Sequence, residues 1–285
     1  MTGADAHKLL QSVITNDMDG LSAAPAVHTG LLSPQGKVLF AFFIVKAGDG
    51  FLLDVARDQA SALARRLTMY KLRANVQIAD VSDSMHVLAV WGDNPYSFDS
   101  TTETVAFTDP RLAAMGLRII TLAKFATSIA QTTNGLYSTP EDYAAHRITL
   151  GVPEGGKDFA FGDAFPHEAL LDQLHGVSFT KGCYVGQEIV SRMEHRGTAR
   201  KRIVPIASAT PLPATGTDIK AGDVTIGALG SVSGTHGLAL LRLDRVAEFA
   251  AQGVALTAGD TVITVNIPSW ATFALPPIKP HGENP

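Results

Sequence analysis

The segment from Lys181 to Arg192, KGCYVGQEIVSR, has the residue types needed for thiol chemistry. It contains Cys183, the only cysteine among the 285 residues. A basic run starts at its end and comprises Arg192, His195, Arg196, Arg200, Lys201 and Arg202. The formal net charge of the whole chain is −4, so a lone thiol beside concentrated positive charge indicates a functional site.

A turn followed by a helix is predicted to position this thiol. Apolar residues recur at helical spacing after Gln187, and Gly197 is a helix stop. Cys183 then lies ahead of a helix N-terminus, where the helix dipole and Lys181 favour a thiolate, while Glu188 opposes it. The alternative is that Cys183 is a small buried hydrophobe and that the basic run is a solvated helix face.

Composition limits the classes of protein that remain. A hydrophobic content of 46% over 285 residues supports a sizeable core, in one large domain or two to three smaller ones. One cysteine excludes an internal disulfide framework and is typical of a reducing compartment. It also excludes an all-cysteine iron–sulfur or zinc site within one chain, and no metal-ligand set is predicted.

The sequence predicts neither a signal peptide nor a membrane span. Its first residues lack a basic stretch followed by an apolar one, and the longest apolar run, Val38–Val45, is only eight residues. We therefore expect a protein of the bacterial cytoplasm or of a compartment like the mitochondrial matrix. The pI near 6.1 argues against bulk nucleic-acid binding but leaves a local anion site open.

Five strands and two helices are predicted in the first 150 residues. Strands are predicted at Val38–Val45, Phe51–Val55, Ala74–Val81, His86–Trp91 and Leu117–Ala123, with a loop over 92–111. A helix is predicted over Asp58–Leu67. Thr139 is expected to cap a further helix, which carries Tyr143 and Arg147 and ends before Gly151.

The pattern of apolar residues and glycines changes after the basic run. Short apolar runs separated by glycines predict a small β-barrel, and they lie at Ile203–Ala207, Thr225–Val232, Leu238–Leu243 and Thr261–Ile267. The predicted domains are therefore a core over 1–200, a barrel over 201–275 and a flexible tail over 276–285.

The string Lys181–Glu188, followed by Ser191–Gly197, resembles the signature of the folate-binding YgfZ family. These proteins are relatives of the glycine-cleavage T-protein, an aminomethyltransferase, and act in iron–sulfur protein assembly or repair. Further segments look like the blocks of this family in the same order: Val13–Asp17, Leu31–Leu39, Tyr70–Arg73, Gly151–Pro153 and Gly237–Leu243. The resemblance covers nearly the full length.

The resemblance implies a fold and a ligand. The fold is α+β, an aminomethyltransferase-like folate-binding core whose subdomains pack around a central cavity, plus a C-terminal β-barrel. The ligand is tetrahydrofolate or a derivative, with Tyr143 against the pterin and Arg147 as a polar contact. Arg192, Arg196 and Arg200 would bind the glutamate tail. The other implied contacts are Lys181, Gln187 and Glu188. Tyr143 could instead be ordinary core, and the arginines could be surface ion pairs.

One departure from the transferase pattern concerns positions 40 and 41. In the aminomethyltransferase this block carries an acidic residue that contacts folate, whereas Phe40 and Ala41 stand here and Gly36–Phe43 holds no carboxylate. An apolar side chain cannot act as an acid, a base or a charge partner. Aminomethyl transfer is therefore not expected, and whether the chain is an enzyme stays open.

The leading hypothesis is a folate-binding accessory factor for iron–sulfur cluster assembly or repair, with cluster-assembly or client proteins as partners. Cys183 would be its functional thiol, either a transient cluster ligand or a redox partner, and a second ligand must come from elsewhere. One alternative is a folate-dependent one-carbon transferase. Another is a non-enzymatic module that docks RNA or protein through the basic run.

Overall fold

The computed structural model describes residues 1–92, 98, 100–101, 103–133, 135–197 and 199–277. The chain forms two compact units, each built from two separate stretches. The first unit comprises Met1–Thr139 and Leu174–Ser191, and the second comprises Pro140–Gln173 and the residues from Arg192 onward. The predicted domain limits at 200 and 275 remain predictions. Of the predicted tail, residues 278–285 lie outside the described residues.

The described part of the first unit contains two antiparallel sheets and three helices. One sheet has the order β1 (Ala26–Leu32), β2 (Val38–Ala47), β3 (Gly50–Asp54), and the other has the order β4 (Met85–Val90), β6 (Leu117–Leu122), β5 (Thr104–Thr108). The helices are α1 (Ala6–Val13), α2 (Arg57–Lys71) and α3 (Ala126–Thr132). Short 3₁₀ turns lie at Met18–Ser22, Ala113–Met115 and Ala123–Phe125.

Strand β2 is buried on both faces. Phe40, Phe42 and Ile44 pack into a core with residues of α1 and α2. Phe43 and Val45 point the other way, into a cluster with residues of β5 and β6. Because neither face meets water, the strand needs no polar alternation, which explains the uninterrupted apolar run in the sequence.

The second unit contains a closed six-stranded barrel with the order β10-β7-β12-β11-β8-β9. Its strands are β7 (Lys201–Ser208), β8 (Asp218–Ala221), β9 (Val224–Ser233), β10 (His236–Arg242), β11 (Leu256–Ala258) and β12 (Thr261–Val265). The helices are α4 (Pro140–Leu150), α5 (Gln187–Arg196), which begins in the first unit, and α6 (Leu243–Ala251). The predicted barrel is confirmed, although β8, β11 and α6 were not predicted.

Two predictions for the first unit are wrong. Ala74–Val81 is not a strand, because only Gln77 forms a bridge, with Thr2, while neighbouring side chains pack against the core. The segment 92–111 is not only a loop, because β5 lies within it and pairs with β6. The hydroxyl groups of Thr104 and Thr121 hydrogen-bond at 2.8 Å across this pair, so polar residues that read as loop are buried.

Candidate functional site

The ammonium group of Lys181 lies at the C-terminal end of α1. Its Nζ donates hydrogen bonds to the backbone carbonyl oxygens of Gln11 at 2.7 Å, Ile14 at 2.9 Å and Asn16 at 2.7 Å. Carbonyl groups at a helix C-terminus lack partners within the helix and carry partial negative charge, so a cation stabilises them. All three donors of the ammonium group are used, and Lys181 therefore ties its loop to α1 instead of reaching for a ligand.

Burial shapes the ionisation of this loop. The Lys181 side chain is only 7% exposed, and burial lowers its pKa to about 8, although the carboxylates of Asp17 and Asp19 oppose the shift. Its Nζ lies 5.3 Å from the ring centroid of Tyr184, a cation–π distance. Burial raises the pKa of Tyr184 to about 12, so the phenol stays protonated at neutral pH.

Cys183 is exposed on the loop that Lys181 holds. It lines an open pocket of about 320 Å³ in the first unit, together with His7, Lys8, Gln11, Ser12, Lys181 and Gly182. The free face of α1 thus supplies polar and cationic side chains beside the thiol. The alternative that Cys183 is a buried hydrophobe does not apply.

A close backbone approach fixes the start of α5. Gly186 has a φ of 83°, and a Cβ there would lie 2.6 Å from the carbonyl oxygen of Ser33. Gly36 has a φ of 77°, and its added Cβ would lie 2.8 Å from Cβ of Ile189. Only glycine adopts these conformations cheaply and leaves room for the partner. Gly182, by contrast, has open space around it.

The predicted ligand contacts on α5 lie mostly at its surface. Gln187 is the first helical residue and is half-buried, while Glu188 and Arg192 are exposed. Arg196 ends the helix, and its side chain lies outside the described part of the structure. Gln187 and Glu188 belong to the first unit, whereas the arginines belong to the second.

The basic run does not form one continuous cationic surface. Arg200 and Lys201 are exposed. Arg202 is buried, and its guanidinium makes a bidentate pair with Asp172 at 3.0 and 2.9 Å. Arg202 is therefore a structural residue of the second unit.

Arg147 is an anchor inside the second unit. Its side chain is 1% exposed, and Nη1 lies 2.7 Å from Oδ2 of Asp158 and 3.1 Å from the carbonyl oxygen of Val152. Nη2 donates to Oγ of Ser231 at 2.5 Å, and Nε lies 3.0 Å from Oε2 of Glu154. The guanidinium predicted as a ligand contact is thus surrounded by groups of its own unit. Tyr143, one turn earlier on α4, is half-buried.

Phe40 and Ala41, which stand where the transferase pattern was expected to carry an acid, face opposite sides of β2. Phe40 belongs to the apolar core under the sheet. Ala41 has the same parity as Phe43 along the strand and pairs with Gly30, while Phe43 pairs with His28. Only position 41 is therefore on the face that carries polar groups, and it offers no functional group.

Sequence reasoning missed a cluster of ionisable groups on that face. The ring centroids of His28 and Phe43 are 5.4 Å apart, and the guanidinium carbons of Arg111 and Arg118 lie 5.0 and 4.7 Å from the Phe43 centroid. Arg111 also makes a bidentate pair with Asp109 at 3.0 and 2.7 Å. Asp109 and Arg111 stand two residues apart in the sequence, but both lie in the segment 92–111 that was predicted to be a loop.

The environment of this cluster shifts two pKa values downward. Burial, followed by the Arg111 charge, lowers the pKa of His28 to about 4, and its Nδ1 lies 2.9 Å from the carbonyl oxygen of Leu174. Burial would raise the pKa of Asp109, but the hydrogen bonds and charge of Arg111 outweigh it and lower the pKa. His28 is therefore neutral at physiological pH.

One group of side chains could present ligand atoms to a metal ion in the described residues. Atoms of His167, Asp172 and Glu194 lie within 4.8 Å of one another. Nε2 of His167 lies 3.1 Å from Oε2 of Glu194, and Asp172 is paired with Arg202. Because the Arg202 guanidinium binds both Asp172 oxygens, these three side chains form an ion-pair network, and the network accounts for their proximity.

Among the described helices, none has the length and apolar character needed to cross a bilayer.

Comparison with solved structures shows the fold. The crystal structure of glycine cleavage system aminomethyltransferase T from Bartonella henselae matches with a TM-score of 0.74 at 15% identity, and the match covers 95% of this chain and 82% of that one. Residues 200–273 match the model of the CAF17 C-terminal beta-barrel domain. The predicted aminomethyltransferase-like α+β fold with a C-terminal barrel is therefore confirmed.

Sequence relatives show the family. The chain is 36% identical over 238 residues to the mitochondrial iron-sulfur cluster assembly factor IBA57 homolog of Mycosarcoma maydis, covering 77% of this chain and 58% of the relative. It is 32% identical over 269 residues to the human mitochondrial iron-sulfur cluster assembly factor IBA57, covering 86% of this chain and 74% of the relative. The chain spans just over half the length of the fungal relatives. It belongs to the family of the iron–sulfur cluster assembly factor IBA57.

Proposed function

We propose that the protein is an accessory factor in iron–sulfur cluster assembly or repair, with Cys183 as its functional thiol. The observation that carries this proposal is the exposure of the only cysteine on a loop that Lys181 anchors. The names of its relatives point to the same process. These relatives are mitochondrial proteins, in agreement with the reducing, matrix-like compartment that a single free cysteine led us to expect.

The second ligand must come from outside the chain. One thiolate cannot hold a cluster alone, so Cys183 would share it with a partner protein or with a low-molecular-weight thiol. The pocket beside Cys183 leaves about 320 Å³ for such a group. Lys8, which lines this pocket, would attract a carboxylate of a small peptide thiol.

Anaerobic cluster assembly tests this role. The protein is mixed with ferric iron, sulfide and glutathione, and cluster formation is followed by visible absorption and circular dichroism. Wild type should form a cluster that depends on glutathione, Cys183→Ser should form none, and Val224→Ser should match wild type because Val224 is an exposed residue of the barrel. Equal cluster formation by Cys183→Ser would overturn the assignment.

We further propose that the relationship extends to the folate-binding YgfZ proteins and that the second unit binds tetrahydrofolate or a derivative. Tyr143 would pack on the pterin, and Arg192, Arg196 and Arg200 would bind the glutamate tail. The exposure of Arg192 and Arg200 supports this division of roles, since Arg147 and Lys181 serve the fold. Gln187 and Glu188 would shape the turn at which α5 begins.

Anaerobic calorimetry with tetrahydrofolate tests the ligand. Tyr143→Ala and Arg192→Gln should weaken binding by about tenfold each, the loss expected for one aromatic or charged contact. Arg245→Gln is the matched control, because Arg245 pairs with Glu248 on α6. Absence of saturable heat with wild type would remove the folate proposal and leave the role of Cys183 untouched.

The two alternatives make different predictions. A one-carbon transferase needs an acid at the folate site, and neither Phe40 in the core nor Ala41 supplies one. Formation of methylene-tetrahydrofolate from an amine donor would restore that alternative. If the basic run docked RNA or protein, Arg202 could not take part, because it is paired with Asp172. Steep salt dependence of RNA binding would support the RNA-docking alternative.

A further inference from the structure

Leu72 lies at the end of α2 with its apolar side chain exposed to solvent and its backbone in a conformation of unfavourable energy. The residue is 87% exposed, with a φ of 46° and a ψ of −109°. Glycine adopts this region freely, whereas a leucine there costs about 1–3 kcal/mol. Neither core packing nor backbone geometry explains why a leucine stands at this position.

Leu72 belongs to a basic and apolar patch, which we call the α2 surface. Met69 is 68% exposed one turn earlier. The cations of the patch are Arg65, Arg66, Lys71 and Arg73. No carboxylate occurs between Arg65 and Arg73, so the segment that carries the two exposed apolar side chains also holds four positive charges, in a chain of net charge −4.

The charges of the α2 surface are not neutralised locally. Among the described residues, no ion pair joins any of these four cations to a carboxylate, and Nη1 of Arg65 contacts only Oγ of Ser61, at 3.1 Å. Lys71 and Arg73 lie where cations stabilise a helix C-terminus. That effect accounts neither for Arg65, more than a turn earlier, nor for Leu72.

We propose that the α2 surface docks an acidic segment of a partner protein that also carries apolar side chains. Arginine forks bind carboxylates in bidentate fashion, and an acidic segment with apolar side chains complements a segment that carries positive charges and exposed apolar anchors. Leucine and methionine cannot stack on bases as aromatic residues do, which disfavours RNA. Two apolar side chains are too few for firm insertion into a bilayer. The proposal is independent of Cys183.

The test uses fluorescence anisotropy with the full chain and a defined probe. The probe is a fluorescein-labelled synthetic peptide in which leucines at helical spacing are flanked by glutamates. Wild type should bind it saturably at low ionic strength, and both Leu72→Gly and the triple variant Arg65→Gln/Arg66→Gln/Arg73→Gln should bind about tenfold more weakly. Val262→Ser should change nothing, because Val262 is exposed at 59% on the barrel.

Thermal unfolding separates docking from folding. Leu72→Gly relieves the backbone strain, so it should keep or raise the melting temperature while it weakens peptide binding. No saturable binding by wild type, or equal binding by Leu72→Gly, would overturn the proposal. Equal affinity for a peptide with serines in place of the leucines would remove the apolar part. Tighter binding to phosphatidylcholine–cardiolipin vesicles or to polyuridine RNA would replace the protein partner with a different one.

Discussion

The Nζ atom of Lys181 lies 2.7 Å from the backbone carbonyl oxygen of Asn16, 165 positions earlier in the chain. This contact joins the end of α1 to the loop of the only cysteine. Charge-assisted hydrogen bonds therefore fix the base of the loop on which the thiol is exposed. A substitution of Lys181 should act on the fold and on Cys183 together.

Replacing Lys181 with Met should lower the free energy of unfolding by about 3 kcal/mol, because three backbone carbonyl groups at and just beyond the end of α1 lose a charged donor. Urea denaturation measures the loss. The rate of Cys183 alkylation by iodoacetamide should change in the same variant, since the loop loses its tether. Lys46→Met, at an exposed position of β2, is the control. Unchanged stability of Lys181→Met would contradict the anchoring role.

Gly186→Ala should destabilise the protein by about 2 kcal/mol or more, because φ is positive and the new Cβ meets the Ser33 carbonyl oxygen. Gly182→Ala is a matched control on the same segment, with open space and an ordinary φ. Thermal and urea unfolding of both variants give the comparison. Equal stability of the two would show that the approach of Gly36 and Gly186 does not fix the start of α5.

Arg147→Met should destabilise the second unit by about 4 kcal/mol, because it leaves the carboxylate of Asp158 buried without its cation. Arg245→Met should cost less than about 1 kcal/mol, because its pair with Glu248 is solvated. Urea unfolding followed by circular dichroism distinguishes them. If Arg147→Met kept full stability and lost only tetrahydrofolate binding, Arg147 would be a ligand contact after all.

Stability should fall as the pH drops from 6.5 towards 4, because His28 is protonated in the unfolded chain over this range but stays neutral in the folded one. The folded-state pKa lies below the unfolded one, so its contribution is present above pH 6.5 and is lost through the window, by at most about 3 kcal/mol. Asp109 has a lowered pKa and titrates below this window. His28→Gln should flatten the decline in melting temperature between pH 6.5 and 4. An unchanged slope would show that other groups cause it.

Local signals in the sequence were sufficient for the turn, the helix and the barrel. Glycine spacing and apolar periodicity predicted α5 from Gln187 and its stop at Gly197. The exposure of Cys183 followed from neither, because it depends on the contact between Lys181 and a helix more than 160 residues away. The same limit explains β5, whose threonines are buried only because β6 lies beside them.

Long-range ion pairs decided which cations serve the fold. Arg147 and Arg202 read as ligand or surface residues, yet Asp158 and Asp172 neutralise them in the interior. No local pattern in the sequence shows this pairing. The cluster around Phe43 was missed for the same reason, since Arg111 and Arg118 approach its ring only after the second sheet forms.

The central claim is that Cys183 carries the activity, and rescue in cells lacking the endogenous factor tests it most directly. The measurement is the activity of an iron–sulfur enzyme in cells that produce wild type, Cys183→Ala or the exposed barrel variant Val224→Ser at equal protein levels. Because Cys183 is exposed, its replacement should leave folding intact. We expect full rescue by wild type and by Val224→Ser and none by Cys183→Ala. Full rescue by Cys183→Ala would contradict it.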